Sequence, residues 1–267
     1  VYNNDIYLSG TYELINGQVG KSLDFGAFSD ALNVNQTGEG VFVSQHDIDG
    51  NIQWLKGFTD DTVDPGTFGG KDEQVVSISA GQAGVTLAVD YTHDLVLGAD
   101  TLRADPNLRI DYRVLVHLNR SGELSWYHNW TGEEITMKLA TNPVSGEVTS
   151  YGKYENIQFD AQTSLSVGAG LAAYYIATYS SDGAMLLAAS PQDNAIRDVL
   201  PFQSQFDSDN DMHYDRAGKL LLSMNYGSST EVVFGANTYT DPGLLLVKGQ
   251  FSKFAVNLGS DILQCQG

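Results

Sequence analysis

The chain has 267 residues, 42% hydrophobic and 10% aromatic, which is enough to fill a sizeable core and excludes intrinsic disorder. Acidic residues outnumber basic ones by 33 to 14, giving a net charge of −19. Such a surface repels phosphate backbones and anionic lipid headgroups, so we expect neither nucleic acid nor a membrane surface as a partner. The single cysteine, Cys265, excludes a disulfide within the chain and any cysteine-rich metal framework.

The composition and the first residues of the chain indicate where the protein resides and how it is produced. No apolar run approaches the roughly 20 residues that span a bilayer, so we expect no membrane insertion. A low basic content with many Gly, Asn, Ser and Tyr residues is typical of an extracellular or cell-surface protein. The chain opens at Val1 without a methionine or a signal-like segment, so we expect a processed protein or part of a larger polypeptide or assembly.

A degenerate internal pattern runs along the chain. Four segments start with an apolar residue and carry a tyrosine six positions later: Ile6 to Tyr12, Val85 to Tyr91, Val148 to Tyr154, and Leu220 to Tyr226. Each precedes a short apolar segment that ends in glycine or aspartate: Phe25-Gly26, Leu97-Gly98, Phe159-Asp160, and Phe234-Gly235. A variable polar loop follows each one. Recurrence at intervals of about 60 to 80 residues predicts a repeat architecture.

After each loop the pattern predicts a strand, a tight turn and another strand. A glycine precedes an apolar residue by four, as a hairpin with a left-handed glycine requires, in three copies: Gly50 before Trp54, Gly122 before Trp126, and Gly183 before Leu187. The fourth copy, Leu244 to Val247 and then Phe251 to Val256, has lost this spacing. One further strand is predicted between successive copies: Gln74 to Ser79, Glu134 to Ala140, and Met212 to Asp215.

About four units of four antiparallel strands predict an all-β, β-propeller-like array. We place it in a single domain, 1–267, with repeats at approximately 1–66, 67–131, 132–195 and 196–267. The first copy lacks the innermost strand of the others. Either Asp261 to Cys265 supplies that strand and closes the array, or the chain is a fragment of a larger propeller whose open edges need covering.

The first copy carries four sequence blocks in order: Asn4-Asp5-Ile6-Tyr7-Leu8-Ser9-Gly10, Gly40-Val41-Phe42-Val43, Asp47-Ile48-Asp49-Gly50-Asn51-Ile52-Gln53-Trp54, and Gly69-Gly70-Lys71-Asp72. They resemble the β-propeller repeat of bacterial secreted proteins. In that family the second strand reads like N-I-Y-V-T-G, the third like D-V-F-V-A-K, and the fourth holds a Trp after D-x-x-G. The resemblance implies propeller blades in a secreted or surface module of a larger protein, and it carries no catalytic motif.

One acidic segment is a candidate calcium site. Asp207, Asp209 and Asp211 alternate, and Asp215 follows, so a loop here would direct hard oxygen ligands at one centre. The segment departs from the EF-type loop, because Met212 replaces the turn glycine and Gly218 the bidentate glutamate. The alternative is a solvated acidic loop. We interpret the similar segment from Asp47 to Gly50 as a hairpin turn.

Catalytic motifs are absent from the sequence. The five histidines form no H-x-x-x-H pair, and there is no G-x-S-x-G elbow, P-loop or dinucleotide fingerprint. Strand alternation places Trp126, His128 and Trp130 on one face and Tyr127 with Asn129 on the other. These aromatic residues either stack on a sugar or partner protein or, as we prefer, pack between blades.

We therefore expect a non-catalytic extracellular or cell-surface module for binding, adhesion or scaffolding. A glycan or protein partner would meet the variable loops, which recur at one position in each copy: Ala27 to Gln36, Ala99 to Asn107, Ala161 to Gly168, and Ala236 to Pro242. The alternatives are a propeller enzyme, such as a polysaccharide lyase or glycosidase, and a structural spacer of a surface fibre.

Overall fold

The computed structural model describes residues 2–14, 22–25, 28–31, 38–60, 74–91, 94–103, 112–166, 171–190, 198–199, 211–226, 232–234, 237–239, 243–252 and 255–265. These residues form an all-β structure of strands and turns in antiparallel sheets. Within these ranges no helix has the length and apolarity needed to cross a membrane.

The chain forms two compact units, Val1–Thr131 and Gly132–Gly267, called here the N-terminal and C-terminal units. The boundary between them coincides with the predicted boundary between the second and third repeats. The assignment of residues 1–267 to a single domain stays a prediction.

The N-terminal unit contains two groups of strands. Its strands are β1 (Ile6–Leu14), β2 (Ser22–Phe25), β3 (Phe28–Ala31), β4 (Gly38–His46), β5 (Ile52–Asp60), β6 (Gln74–Gly81), β7 (Gly84–Tyr91), β8 (Leu95–Leu97), β9 (Asp100–Leu102), β10 (Tyr112–Asn119) and the first part of β11 (Leu124–Thr141). Strand group 1 has the order β1-β4-β5, and strand group 2 has the order β6-β7-β10-β11. The β8–β9 hairpin extends group 1, because β8 pairs with the end of β5.

The C-terminal unit contains two more groups. Its strands are the rest of β11, then β12 (Val148–Gln158), β13 (Ser164–Ser166), β14 (Leu171–Tyr179), β15 (Met185–Ala189), β16 (Asp198–Val199), β17 (Asp211–Tyr214), β18 (Leu220–Tyr226), β19 (Val232–Phe234), β20 (Asn237–Tyr239), β21 (Gly243–Ser252) and β22 (Ala255–Cys265). Strand group 3 has the order β11-β12-β14-β15, and strand group 4 has the order β17-β18-β21-β22.

Most strands predicted from the sequence are confirmed. The four tyrosine-bearing segments form β1, β7, β12 and β18, and the three predicted intervening strands form β6, the second part of β11, and β17. The variable loops differ from the expectation, because three of them begin as the second strand of a two-stranded hairpin: β2–β3, β8–β9 and β19–β20. In the β8–β9 hairpin, the turn at Gly98 and Ala99 returns the chain before the polar segment begins.

The C-terminal strand does not take the place that one of the two predicted alternatives gave it, as the innermost strand of the first copy. Asp261 to Cys265 lie in β22, whose residues pair with β21 from Leu244 to Val247 and, after a bulge, from Gly249 to Ser252. β22 is therefore the fourth strand of group 4, next to a long antiparallel partner that satisfies its backbone. It does not supply the innermost strand of group 1, whose sheet has the order β1-β4-β5-β8-β9.

The core of the N-terminal unit lies between its two strand groups. Group 1 contributes Val41, Val43 and Phe58. Group 2 contributes alternate residues of β7 and β10: Val85, Leu87, Val89, Tyr91, Tyr112, Val114, Val116 and Leu118. Residues on the other face of β7 and β10, such as Ala88 and Leu115, are also fully buried. These central strands are therefore covered on both faces, which explains why they read as nearly continuous apolar runs.

Four hairpins have turns of the same type. The amide of the first residue donates to the carbonyl of the fifth, and the amide of the fourth donates back to the carbonyl of the first, in turns that begin at Asp47, Asn119, Ser180 and Asp215. The fourth residue is a glycine with φ between 76° and 89°: Gly50, Gly122, Gly183 and Gly218. This is a type I turn closed by a glycine bulge. The sequence predicted the first three of these turns and missed the fourth.

One of these turns packs against the neighbouring strand group. The Trp54 indole of β5 lies against Gly122, and its Nε1 donates to the Arg120 carbonyl at 2.9 Å. Arg120 in turn forms an ion pair with Asp5 at 2.5 Å. A Cβ at Gly122 would lie 2.7 Å from the indole, so only glycine fits beneath the ring.

We predict that Gly122→Ala destabilises the protein more than Gly50→Ala does. Both positions have the same left-handed backbone, which costs a side chain about 1 kcal/mol, but a Cβ at Gly50 meets nothing within 4 Å. The clash with Trp54 should add about 1 to 3 kcal/mol for Gly122→Ala alone. Denaturant unfolding of both variants measures the difference. Equal losses would show that the indole is not held against the turn.

Candidate functional site

The strands of each group have two distinct ends. The third strand of groups 1 and 2, β4 or β10, starts after a small hairpin and finishes at a glycine turn. The hairpins therefore lie at one end of these strands, called here the hairpin end, and the glycine turns lie at the other, called the turn end. β13 and β19–β20 take the corresponding place, between second and third strands, in groups 3 and 4.

The hairpin end carries the loops that the sequence marked as the ligand surface. The structure describes β3, β9, β13 and β20 within them, together with the residues next to β9 and β13. The remaining positions of these loops, among them 32–36, 104–107, 167–168 and 240–242, lie outside the described residues.

Exposed small and polar side chains form the described tips. Ala99 and Asp100 are exposed beside Gly98, whose φ of +65° permits the tight turn, and Leu97 beneath them is fully buried. In group 3, Gln162 is exposed at the tip, where the buried Phe159 anchors the segment. The Asp160 carboxylate is occupied there, because it accepts the amides of Gln162 at 2.8 Å and Thr163 at 2.7 Å. Each tip is a polar surface on an apolar anchor.

The recurring tyrosines brace the hairpin end from below. The Tyr12 hydroxyl donates to the Phe58 carbonyl on the fourth strand of group 1 at 3.3 Å. The Tyr91 hydroxyl donates to Asn129 Oδ1 on the fourth strand of group 2 at 2.7 Å, and burial raises the pKa of Tyr91. Each ring thus crosses the third strand. In group 1 this is possible because Gly40 stands there, where a Cβ would lie 2.4 Å from the Tyr12 ring.

Tyr154 of group 3 repeats this arrangement. Its ring is buried, and its hydroxyl is hydrogen-bonded to Ser190, directly after the fourth strand β15. The side chain of the fourth tyrosine, Tyr226, lies outside the described residues. The three described tyrosines therefore have a structural role within their strand groups.

A buried polar row occupies the other face of group 2. His117 Nδ1 lies 2.8 Å from Thr86 Oγ1, and the His117 ring stacks on Trp126 with centroids 4.9 Å apart. Burial lowers the pKa of His117 to about 4, against a hydrogen bond to the Ala83 backbone that raises it. The imidazole is therefore neutral near pH 7. A hydroxyl, a backbone group and an indole around a neutral ring make a structural environment.

The same face carries a buried ion pair. Arg113 and Asp90 meet through two hydrogen bonds, with side chains only 8% and 13% exposed. Opposite charges in bidentate geometry stabilise each other. We therefore assign the Asp90 carboxylate a structural role. Trp130 is buried as well, and Tyr127 on the opposite face packs against the core, while the predicted packing of these aromatics between blades stays a prediction.

Of the four predicted calcium ligands, the structure describes the side chain of Asp215 alone. Asp215 begins a glycine turn, and its Oδ1 accepts the amides of Ala217 and Lys219, both at 2.9 Å. Asp211 is the first residue of β17, and its side chain lies outside the described residues, as do Asp207 and Asp209. In the described part of the chain no three His, Cys, Asp or Glu side chains are grouped to hold a metal. The calcium site stays a prediction.

The sequence contains a pattern from which the role of Asp215 as a turn residue could have been predicted. Asp215 and Gly218 have the spacing of Asp47 and Gly50, which was interpreted as a hairpin turn. Asp47 Oδ1 likewise accepts two amides, those of Asp49 at 3.0 Å and Asn51 at 2.8 Å. The Asn51 side chain, then its amide, hold the pKa of Asp47 below its usual value.

The chain was also compared with known proteins. No family model matches the sequence, and no curated protein matches it closely enough to indicate a relative.

We predict that His117 makes the protein less stable in acid. The unfolded chain takes up this proton near pH 6.5 and the folded protein only near pH 4. The stability that His117 contributes is therefore complete above about pH 6.5 and is lost as the pH falls towards 4, by on the order of 3 kcal/mol. Denaturant unfolding of the protein and of His117→Gln at pH 7 and pH 4.5 measures this. The same pH dependence in both would contradict the prediction.

Proposed function

We propose that the chain is a non-catalytic, extracellular or cell-surface β-propeller-like module that binds a protein or carbohydrate partner through its hairpin end. The observation that carries the proposal is the position of the small strands: in every strand group they lie between the second and third strands. In each group the variable segment is thereby placed at the hairpin end of that group, and loops carried by a fixed scaffold are how loop-based binding surfaces are built.

The propeller arrangement rests on the similarity of the four strand groups. Groups 2, 3 and 4 each have four antiparallel strands in meander order, and group 1 has the last three of them. The tyrosine of the second strand and the following small strand recur at the same places. We propose that the groups are blades corresponding to repeats 1–66, 67–131, 132–195 and 196–267.

The chemistry of the tips favours binding over catalysis. A glycosidase needs two carboxylates at a defined separation, whereas the carboxylate of Asp160 is occupied by backbone amides. Asp100 and Gln162 offer an exposed carboxylate and an exposed amide, the groups that hydrogen-bond sugar hydroxyls and peptide amides. With a net charge of −19, neutral or basic partners associate more favourably than acidic ones.

We predict that Asp100→Lys weakens binding to a glycan or protein found by array screening at least about tenfold, since it places the wrong charge on the hairpin end. The matched control is Asp49→Lys, an equally large charge change at an exposed residue of the turn end, which should leave affinity unchanged. Surface plasmon resonance measures both. Equal losses would refute the hairpin end as the site, absence of any saturable binding would favour a spacer, and turnover of polysaccharide would favour an enzyme.

The calcium proposal has a separate test. If Asp207, Asp209 and Asp211 bind Ca²⁺, millimolar Ca²⁺ should raise the melting temperature above that in EGTA, and Asp209→Ala should abolish the rise. Asp215→Asn is the matched control, because an asparagine at Asn119 accepts amides in the equivalent turn in the same way. A rise that Asp215→Asn removes would make Asp215 a ligand. Calorimetry that finds no rise in the unaltered protein would remove the site.

A further inference from the structure

Among the described residues, the edge strand of group 1 lacks a partner that its counterparts have. β7 pairs with β6 and β10, and β18 pairs with β17 and β21, but in the same described ranges β1 forms a ladder with β4 alone. β6 lies against β1, yet no ladder joins them in the described part of the chain.

The residues just before β1 form the turn of a two-residue hairpin. Tyr2 and Asp5 form an antiparallel bridge with both backbone hydrogen bonds, at 2.9 and 2.8 Å. Between them Asn3 and Asn4 have φ of 46° and 70°, as in the type I′ turn of a two-residue hairpin. Group 2 makes the same connection, because Gly81 pairs with Gly84 across two residues before β7. Tyr2 therefore lies where the last residue of a strand paired with β1 would lie.

The exposure of β1 supports this reading. Leu8 stands two residues after the apolar start of its strand, as do Leu87, Ser150 and Leu222. Those three are fully buried, whereas Leu8 is 50% exposed. In group 2, Ile78 of β6 lies opposite Leu87, and in group 4, Met212 of β17 lies opposite Leu222. The neighbouring strand thus places an apolar side chain at the position next to Leu8 where group 1 has no paired residue in the described ranges.

We propose that the edge of β1 is a strand-docking surface, and that its occupant is an extended strand joined to β1 through the Tyr2–Asp5 turn. The register follows from the bridge. Asp5 directs its amide and carbonyl to this edge, so backbone alternation directs those of Tyr7, Ser9 and Thr11 there as well. The occupant carries an apolar residue opposite Leu8 and a small or polar one opposite Ser9, the pattern of β6.

The proposal is tested by fusing a strand with the β6 sequence pattern to the full chain. The β6 sequence Gln-Val-Val-Ser-Ile-Ser, fused directly ahead of Val1, places its isoleucine opposite Leu8. We expect a rise of roughly 5 °C in melting temperature. We also expect slower hydrogen exchange at the amides of Tyr7, Ser9 and Thr11 by at least about tenfold, because these amides gain acceptors. An extension with aspartate in place of the isoleucine should lose most of the gain in melting temperature.

Two substitutions in β1 test the backbone contacts. Ser9→Pro removes an amide that faces the docked strand and leaves the ladder to β4 intact, whereas Ser9→Ala keeps the amide. The gain should disappear in Ser9→Pro and persist in Ser9→Ala. An unchanged melting temperature with unprotected amides would overturn the proposal, and so would an undiminished gain in Ser9→Pro. If Ser9→Pro does not fold, the extension with aspartate and the hydrogen exchange of the β1 amides still test the proposal.

A free peptide separates the two possible sources of the strand. If the free hexapeptide binds and the fused one gives no gain, the occupant is a strand of another molecule and the proposed connection is wrong. The experiment is independent of the hairpin end, because Asp100→Lys should not alter the gain. Its failure and the failure of the proposed binding function are therefore distinguishable.

Discussion

A side-chain oxygen that accepts backbone amides, followed three residues later by a left-handed glycine, fixes how four of the hairpins turn. Side chains of a strand alternate between faces, so a slip of one residue would move the whole apolar set to the wrong side. The turn at Asp47 sets the register of β4 against β5, and this register directs Val41 and Val43 into the core. The turns at Asn119, Ser180 and Asp215 join β10 to β11, β14 to β15 and β17 to β18 in the same way.

The two ends of the strand groups bear different constraints. At the turn end, Trp54 ties a turn of group 2 to group 1 through close packing on Gly122 and a hydrogen bond to Arg120. Such contact leaves little freedom for substitution. At the hairpin end the fixed part lies deeper, in Tyr12 and Tyr91, which bond across the sheet to the fourth strand. The exposed tips above these tyrosines, such as Ala99 and Asp100, carry no such close packing, so substitutions there should disturb strand pairing less.

Local patterns in the sequence predicted local structure well. Strand positions and the turns at Gly50, Gly122 and Gly183 follow from spacing, because a left-handed glycine and alternating apolar residues suffice to form a hairpin. The turn at Gly218 was missed, although Asp215 and Gly218 have the spacing of Asp47 and Gly50, because a carboxylate suits both a cation and backbone amides. The structure shows that Asp215 accepts two amides. Contacts between distant residues, such as Tyr91 with Asn129 or Trp54 with Gly122, could not be predicted, because they depend on how strands stack.

The acidity of the chain bears on its open strand edge. An edge that exposes unpaired backbone beside an apolar residue such as Leu8 is a template for pairing with another copy. A net charge of −19 opposes that pairing, although screening limits the repulsion to roughly 8 Å at physiological salt. A strand tethered through the Tyr2–Asp5 turn meets the edge at a high effective concentration and bears no cost of bringing two acidic molecules together. Charge and turn geometry therefore favour a tethered strand over a second copy at this edge.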